Sequence, residues 1–468
     1  MKSFELKPTF ENLMDTFLND SIGRSADVCA FTKLLLKIEG SLSLGVDGKW
    51  GTGKTFFVRQ TQMVLDSLNP NIPPYSMNGM EKIRDIFKRI TKLELQSIPP
   101  IVTAYYDAWQ HDDEEDPILS LLYEIMKENY NNTDIKNKKD WSAIVASIAE
   151  ALSNRNIGDL VKNFKGKDFF EEQKDNEELD MIIENFLSSF LPERGNRLIV
   201  FIDELDRCKP TYAVKLLERI KHYYASEYIT FVFSVNFGEL ENTVRNYYGE
   251  RFDACRYMDR FFDIRMEIPP IDMNKYVSNL GLYGHRNMRE TVCAEVIRQM
   301  NLGMRETARF LQMSKIAAYK YTDGSAYEKQ RFWSHDDGIS NLIGFCIIVP
   351  IAMGLKMTNS YEYDEFIAGK SAKWLDNILT SEALSKWVTN SLLSDNESYT
   401  IIEGKALVSE SQKIQEVYEA IFVKTYESGK EYETRIGKAV FEKGFKDSIL
   451  KAIGFVSPYT DYSFEDDK

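Results

Sequence analysis

Eight consecutive residues, Gly48-Lys49-Trp50-Gly51-Thr52-Gly53-Lys54-Thr55, fit the phosphate-binding pattern GxxxxGK[ST] directly after the apolar run Ser41-Leu42-Ser43-Leu44-Gly45-Val46. Such a loop works only where a buried strand delivers the chain to a tight turn and a helix leaves it, because successive backbone N–H groups must converge on one anion. The glycines permit that convergence. Lys54 is the partner of the β and γ oxygens, and the Thr55 hydroxyl completes a Mg²⁺ shell. Phe56 to Leu65 continues as a helix whose positive end faces the phosphates. The whole loop, Gly48 to Thr55, is therefore read as a nucleoside triphosphate site.

Other strands follow the same logic. Ile101-Val102-Thr103-Ala104-Tyr105-Tyr106, Arg197 to Asp203, Ile229 to Val235 and Phe262 to Ile268 are short apolar runs bounded by breakers or polar stretches. Their near-continuous apolar character suits a sheet buried on both faces, with the ligand at the strand C-termini. The polar stretch from about residue 112 to 196 reads as a helical insertion, with helices around Pro117 to Asn129, Trp141 to Ser153 and Glu177 to Phe190. Asn69 to Met80, rich in Pro and Asn, breaks the pattern after the first helix.

The chain thus divides into a helical lead-in over 1–40, an α/β core over 41–270, a helical sensor or lid segment over 271–320, and a helical domain over 321–468 that ends in an acidic tail. At 468 residues it is too long for one ordinary core. Within the lead-in, Asp20 to Glu39 has helical spacing, and Ile22, Gly23 and Arg24 are candidates to lie near the base.

The balance of 72 acidic against 58 basic residues, a net charge of −14, disfavours a generalised electrostatic grip on nucleic acid or anionic lipid but leaves room for a local basic groove. The five cysteines are scattered, without CxxC spacing, so neither a disulfide framework nor a zinc site is indicated. Met1 to Glu11 lacks the continuous apolar stretch of a signal peptide, and a cytoplasmic setting is expected. The longest apolar run, Leu342 to Leu355, falls short of the about 18 residues of a membrane span and reads as a buried core helix.

Hydrolysis needs a carboxylate for the metal and a group to activate water. Asp203, ending an apolar strand, is the candidate metal ligand together with Thr55, and Glu204 is the candidate general base. Asp206 and Arg207 read as a structural ion pair. Asn236, closing the fourth strand, is positioned to hold the water or touch the γ-phosphate, or else to cap the following helix. Arg260, and less strongly Arg256, are candidate arginine fingers acting in a neighbouring subunit; their spacing of four with Asp259 and Asp263 nearby equally fits surface pairing on a helix. Arg305, opening a helix after the sheet, is a candidate sensor of the γ-phosphate or a surface residue.

Asn137-Lys138-Lys139-Asp140 matches the guanine signature NKxD by letters only. It lies upstream of Asp203 in a polar insertion rather than after a strand, and Asp203-Glu204-Leu205-Asp206 lacks the DxxG glycine. ATP, with Mg²⁺, is the expected nucleotide.

Three sequences together, Gly48 to Thr55 with its Trp50, Tyr105-Tyr106-Asp107-Ala108-Trp109, and Phe201-Ile202-Asp203-Glu204-Leu205-Asp206-Arg207-Cys208-Lys209-Pro210, resemble the KAP family of P-loop NTPases over roughly residues 20 to 315. The family usually has Asp after the metal-binding Asp; here Glu204 stands there, and the pair is similar to that of AAA-type ATPases. The resemblance implies an α/β P-loop NTPase of the additional-strand catalytic type, with a mainly parallel five-stranded sheet ordered 5-1-4-3-2. Some members carry transmembrane helices between the two nucleotide motifs. This insertion has no adequate apolar run, its longest being Ile144 to Ala149, so the chain resembles the soluble bacterial type. Bacterial relatives are linked to phage exclusion and defence, sometimes beside partner proteins.

The leading expectation is an ATPase that couples hydrolysis to conformational change or assembly, as a homo-oligomer or with a protein partner of a defence system. A nucleotide-gated scaffold with negligible turnover is a second class. A nucleic-acid-stimulated motor is a third, suggested by the DExD letters at Asp203 but lacking companion helicase motifs.

Overall fold

Five short runs form β1 (Leu42–Asp47), β2 (Ile101–Asp107), β3 (Arg197–Asp203), β4 (Ile229–Val235) and β5 (Ile264–Glu267), the central β3 and β4 being richest in Val, Ile and Phe. The structure is a computed structural model that describes residues 7–38, 41–71, 77–94, 98–114, 116–130, 195–223, 228–280, 288–317, 338–392, 401–402, 405–406, 410–425 and 433–455. All neighbouring strands pair in parallel, in the order β2-β3-β4-β1-β5. This is the expected 5-1-4-3-2 sheet, with β4 inserted between the strand of the phosphate loop and the strand of Asp203. Every residue of β4 is buried, as a central parallel strand requires.

Ahead of β1 run α1 (Phe10–Leu18) and α2 (Ser25–Lys37), and between the strands α3 (Lys54–Leu68), α4 (Met77–Thr91), α5 (Pro117–Tyr130), α6 (Pro210–Tyr223), α7 (Phe237–Tyr248) and α8 (Ala254–Met258). The helices α1, α2 and α4 pack around α3, which lies against β2. Alternate side chains of β2 and β3, Val102, Ala104, Tyr106, Leu198, Val200 and Ile202, point into one core with Ile118, Leu122, Leu217 and Leu240 of α5, α6 and α7. That period of two sends the intervening residues, Tyr105 among them, to the opposite face.

The chain divides into two compact units at residues 272 and 273. The part from Met273 onward is mostly helical, as expected, but it also holds two short antiparallel hairpins, Ile401–Ile402 with Lys405–Ala406 and Glu433–Ile436 with Ala439–Glu442. Two-residue strands and a hairpin closed at Gly437 leave little periodicity to find in a sequence. The apolar run Leu342 to Leu355 lies within the helix Ile339–Thr358, which is long and apolar enough to cross a membrane by length and composition. It is 78% buried inside the fold. Its middle, Leu342–Ile348, is wound as a π-helix, and Ile343, Ile347 and Ile351 join a core with Val296, Phe310 and Val417.

Three expectations shift. β5 is shorter than Phe262 to Ile268, because Phe262 turns into the core, edge-on to Phe233 at 5.1 Å and to Phe237 at 4.9 Å. The helix α4 starts at Met77, inside the Asn69 to Met80 stretch. α8 is only five residues long, so Arg260 lies beyond its end rather than on a helix with Arg256. The expected helices Trp141 to Ser153 and Glu177 to Phe190, the Asn137-Lys138-Lys139-Asp140 sequence and the acidic tail lie outside the described residues.

Gly45 of β1 reveals how tightly this core closes. A Cβ there would stand 2.3 Å from Phe237 Cζ, and that ring is already held edge-on by Phe262. Gly45→Ala is expected to destabilise the fold by about 1–3 kcal/mol through overpacking, seen as a lower midpoint in denaturant unfolding.

Candidate nucleotide site

β1 ends at Asp47, whose Oδ1 accepts from the N–H of Phe237 at 3.0 Å, and the N–H of Gly48 donates to Val235 O at 3.1 Å. The loop thus leaves the sheet pinned to the end of β4. Gly51 and Gly53 have φ of 82° and 81°, the left-handed region that glycine enters without penalty. At Gly48 a Cβ would meet Ile268 Cγ2 at 2.6 Å and Thr52 Oγ1 at 2.8 Å. Thr52 Oγ1 donates to Lys49 O at 2.7 Å, tying the loop across itself. Lys54 opens α3 and donates from Nζ to Gly48 O at 2.6 Å, so the ammonium is folded back over the loop.

Arg24 lies beneath this loop. It is 1% exposed and donates from Nη1 to Thr52 O at 2.8 Å, while its Nε has no hydrogen-bond partner among the described residues. Burial pulls its pKa down to about 10, with Asp27 acting in the opposite direction, so it stays protonated at neutral pH. A guanidinium therefore fixes the carbonyl of a residue whose neighbours supply the phosphate-binding N–H groups.

Asp203, at the end of β3, is fully buried. The hydroxyls of Thr55, Ser234 and Tyr105 lie against its carboxylate, that of Tyr105 as an aligned hydrogen bond of 3.0 Å to Oδ2. Burial pushes its pKa up, and these hydroxyls with the N–H of Glu204 oppose the shift. The Tyr105 ring carries the Arg59 guanidinium of α3 at 4.3 Å from its centre, and Arg59 pairs with Glu128 of α5 at 3.2 Å.

Glu204 follows with φ 60° and ψ 20°, a left-handed backbone that a non-glycine residue rarely adopts. Burial raises its pKa to about 7; Asp203 and Asp206 push the same way, while Arg207 and Lys54 oppose them. The carboxyl thus sits within the electrostatic reach of the loop lysine. Asp206 and Arg207 do not pair with one another as expected: Asp206 Oδ2 accepts from Trp50 Nε1 at 2.8 Å, and Arg207 Nε stands 2.5 Å from Glu204 Oε2.

The remaining candidates fall in different places. Asn236 is the N-cap of α7, its Oδ1 accepting from Glu239 N at 3.4 Å. Arg260 is exposed, just ahead of β5. Ile264 of β5 pairs with Leu44 of β1, and Asp263 N donates to Ser43 O at 3.0 Å, so Arg260 belongs to the end where the strands begin. The loop lies at the other end, so Arg260 cannot serve its own site. The acids expected to pair with it are engaged otherwise: Asp259 with Arg265 at 2.8 Å, and Asp263 Oδ2 with Ser43 N at 2.8 Å. Arg305 is the second residue of the helix Met304–Ala317, exposed, in the other compact unit.

Tyr105, Arg59 and Trp109 stand at the site beyond the residues expected there. The strand period signals Tyr105, since Tyr106 faces Ser120 and Tyr212 on the other side of the sheet. Trp109 is visible only as part of the family-like sequence Tyr105-Tyr106-Asp107-Ala108-Trp109, and Arg59 carries no signal at all.

The arrangement fits a triphosphate with a divalent cation. A glycine-lined turn holds a lysine at its mouth, and a fully buried carboxylate faces the Thr55 hydroxyl at the first turn of α3. Among the described residues no group of three or more His, Cys, Asp or Glu could hold a metal by itself. A cation here would thus rest on Asp203, Thr55 and the nucleotide oxygens.

The model of the KAP family P-loop domain matches residues 28–341. Comparison with curated proteins gives no match. Among solved structures, the Aeropyrum pernix ORC1 protein, solved in complex with DNA, aligns with 14% identity and a TM-score of 0.33 over 93% of this chain and 82% of that one. C. elegans PCH-2 aligns with 12% identity and a TM-score of 0.20 over 81% and 71%.

Tyr105→Phe removes the aligned donor from a buried carboxylate while keeping the ring under Arg59. We expect a loss of about 1–3 kcal/mol of stability by chemical denaturation, and no such loss for Tyr123→Phe on the partly buried side of α5.

Proposed function

Because the chain belongs to the KAP family of P-loop NTPases, a nucleotide-binding family, we propose that it hydrolyses ATP at this site and couples turnover to conformational change or assembly. The observation that carries the reading is Glu204 at the tip of β3, a desolvated carboxyl beside the metal-binding candidate Asp203 and within the field of Lys54.

The backbone of Gly48 to Thr55 would cradle the phosphates, and Lys54 would exchange the Gly48 carbonyl for the β and γ oxygens. Thr55 and Asp203 would hold Mg²⁺, which when bound neutralises charge on the leaving and transferred groups. Glu204 would take a proton from the attacking water at one carboxylate oxygen. Asn236 has its Oδ1 committed to capping α7, which leaves its amide N–H₂ to orient water or the γ-phosphate. Arg260 would complete a neighbouring subunit's site, since its place at the strand start excludes its own.

ATP is favoured over GTP because the NKxD letters precede β3 instead of following a sheet strand. A role in anti-phage defence rests on the family resemblance; a phage challenge of cells carrying the wild-type chain or Lys54→Ala tests it, protection by wild type alone being expected.

Purified protein with ATP and Mg²⁺ should turn over many times. Lys54→Ala should lose nucleotide binding, whereas Glu204→Gln should bind and lose about 10²–10⁴-fold in kcat. Tight binding without turnover by the wild type would favour the nucleotide-gated scaffold instead. For the arginine, Arg260→Ala subunits mixed with Lys54→Ala subunits should regain activity that neither has alone. Unrecovered activity with assembly intact would rule out action in trans.

A further inference from the structure

Arg207 is the residue whose contacts the hydrolytic reading leaves unused. Its Nε forms an ion pair of 2.5 Å with Glu204 Oε2, an oxygen that is buried and has no aligned hydrogen-bond donor among the described residues. Its guanidinium lies 5.7 Å from the centre of the Trp50 ring and 5.5 Å from that of Trp109. Both indoles are half exposed, at 52%, yet Trp50 is fixed by the hydrogen bond from its Nε1 to Asp206 Oδ2. Trp109 is set by the short 3₁₀ turn Ala108–His111, which Asp107 caps by accepting from Trp109 N at 3.1 Å.

These contacts join three separate pieces of backbone: the phosphate loop, the exit of β2 and the exit of β3. A long flexible side chain on a surface turn ordinarily samples many rotamers and forms a weak ion pair. Here a planar cation rests against two aromatic rings, an arrangement that suits arginine and that lysine does not reproduce. The side chain is thereby held in place before it meets the carboxylate.

We propose that Arg207 is a positioning residue for Glu204: braced by Trp50 and Trp109, it fixes Oε2 and so presents Oε1 to the attacking water. The inference rests on the hydrolytic reading above. Its logic is that of any base oriented by a third group, where the orienting residue touches no substrate but sets how often the base points the right way. It also explains why Trp50 occupies the middle of the loop: any movement of the loop shifts one wall of the brace.

Steady-state ATP hydrolysis and nucleotide binding by the full chain test this. Arg207→Ala should lower kcat about 10–100-fold with ATP affinity within twofold of wild type, a range expected for loss of pre-organisation around a base. Arg207→Lys should recover little, since it restores charge without the planar, weakly hydrated guanidinium that both rings face. Methylguanidinium added to Arg207→Ala should raise kcat in a saturable way and leave Arg207→Lys unchanged. Trp109→Ala removes one wall and leaves the ion-pairing residues intact; it should lower kcat about 3–10-fold at unchanged affinity. It also serves if Arg207→Ala fails to fold.

Equal kcat in wild type, Arg207→Ala and Trp109→Ala would overturn the proposal while leaving hydrolysis established. A higher kcat in Arg207→Ala would overturn it as well, by showing that the pair restrains the base. A fall in affinity parallel to the fall in kcat would assign Arg207 to the general integrity of the loop. Absence of turnover in the wild type would instead reject the hydrolytic reading beneath it.

Discussion

The site depends on one buried carboxyl group. Asp203 is fully excluded from water, and a carboxylate in that position persists as an ion only if its surroundings compensate for lost hydration. Each compensating group comes from a different element: Tyr105 from β2, Ser234 from β4, Thr55 from α3 and the N–H of Glu204 from the chain that follows. Assembling them around one atom pair requires that β2, β3 and β4 lie side by side in register, and that the loop helix start at their C-terminal ends. The sheet order delivers this, since β3 lies between β2 and β4 with Asp107 and Ser234 level with Asp203.

A second compensation works from below the loop. Arg24 and Lys54 place two cations around a backbone turn, both largely buried. Such charges are tolerable where an anion of several negative charges is the intended partner, and they favour phosphate over smaller or neutral ligands. The same logic explains why the acidic balance of the whole chain is no obstacle: the positive potential is built locally from a few buried groups rather than from the surface average.

Much of this was legible in the residues. The loop pattern and the strand limits at Arg197–Asp203 and Ile229–Val235 follow from a phosphate motif and hydrophobic runs, because burial on both faces leaves strong local signals, whereas the sheet order came only with the family resemblance. What was hidden is how side chains choose partners across the sheet. Nothing local says that Asp206 turns to Trp50 and Arg207 to Glu204 rather than to each other, since i and i+1 residues at a strand exit point different ways. That Arg260, just ahead of β5, lies at the end of the sheet away from the loop became clear only once β5 was seen to pair beside β1, and the small hairpins after Ile401 are too short to carry a period.

The backbone at Glu204 has a consequence for how this chain balances durability against chemistry. A left-handed conformation at φ 60° favours glycine or asparagine, and the partly buried carboxyl adds its own desolvation. A chain selected for durability alone would hold one of those residues here, at a gain in folding free energy. That an acid occupies the position marks it as a place where stability has been surrendered. If Glu204 is the proposed base, random variation screened only for heat resistance would accept glycine or asparagine here and enrich molecules that are sturdier and inert.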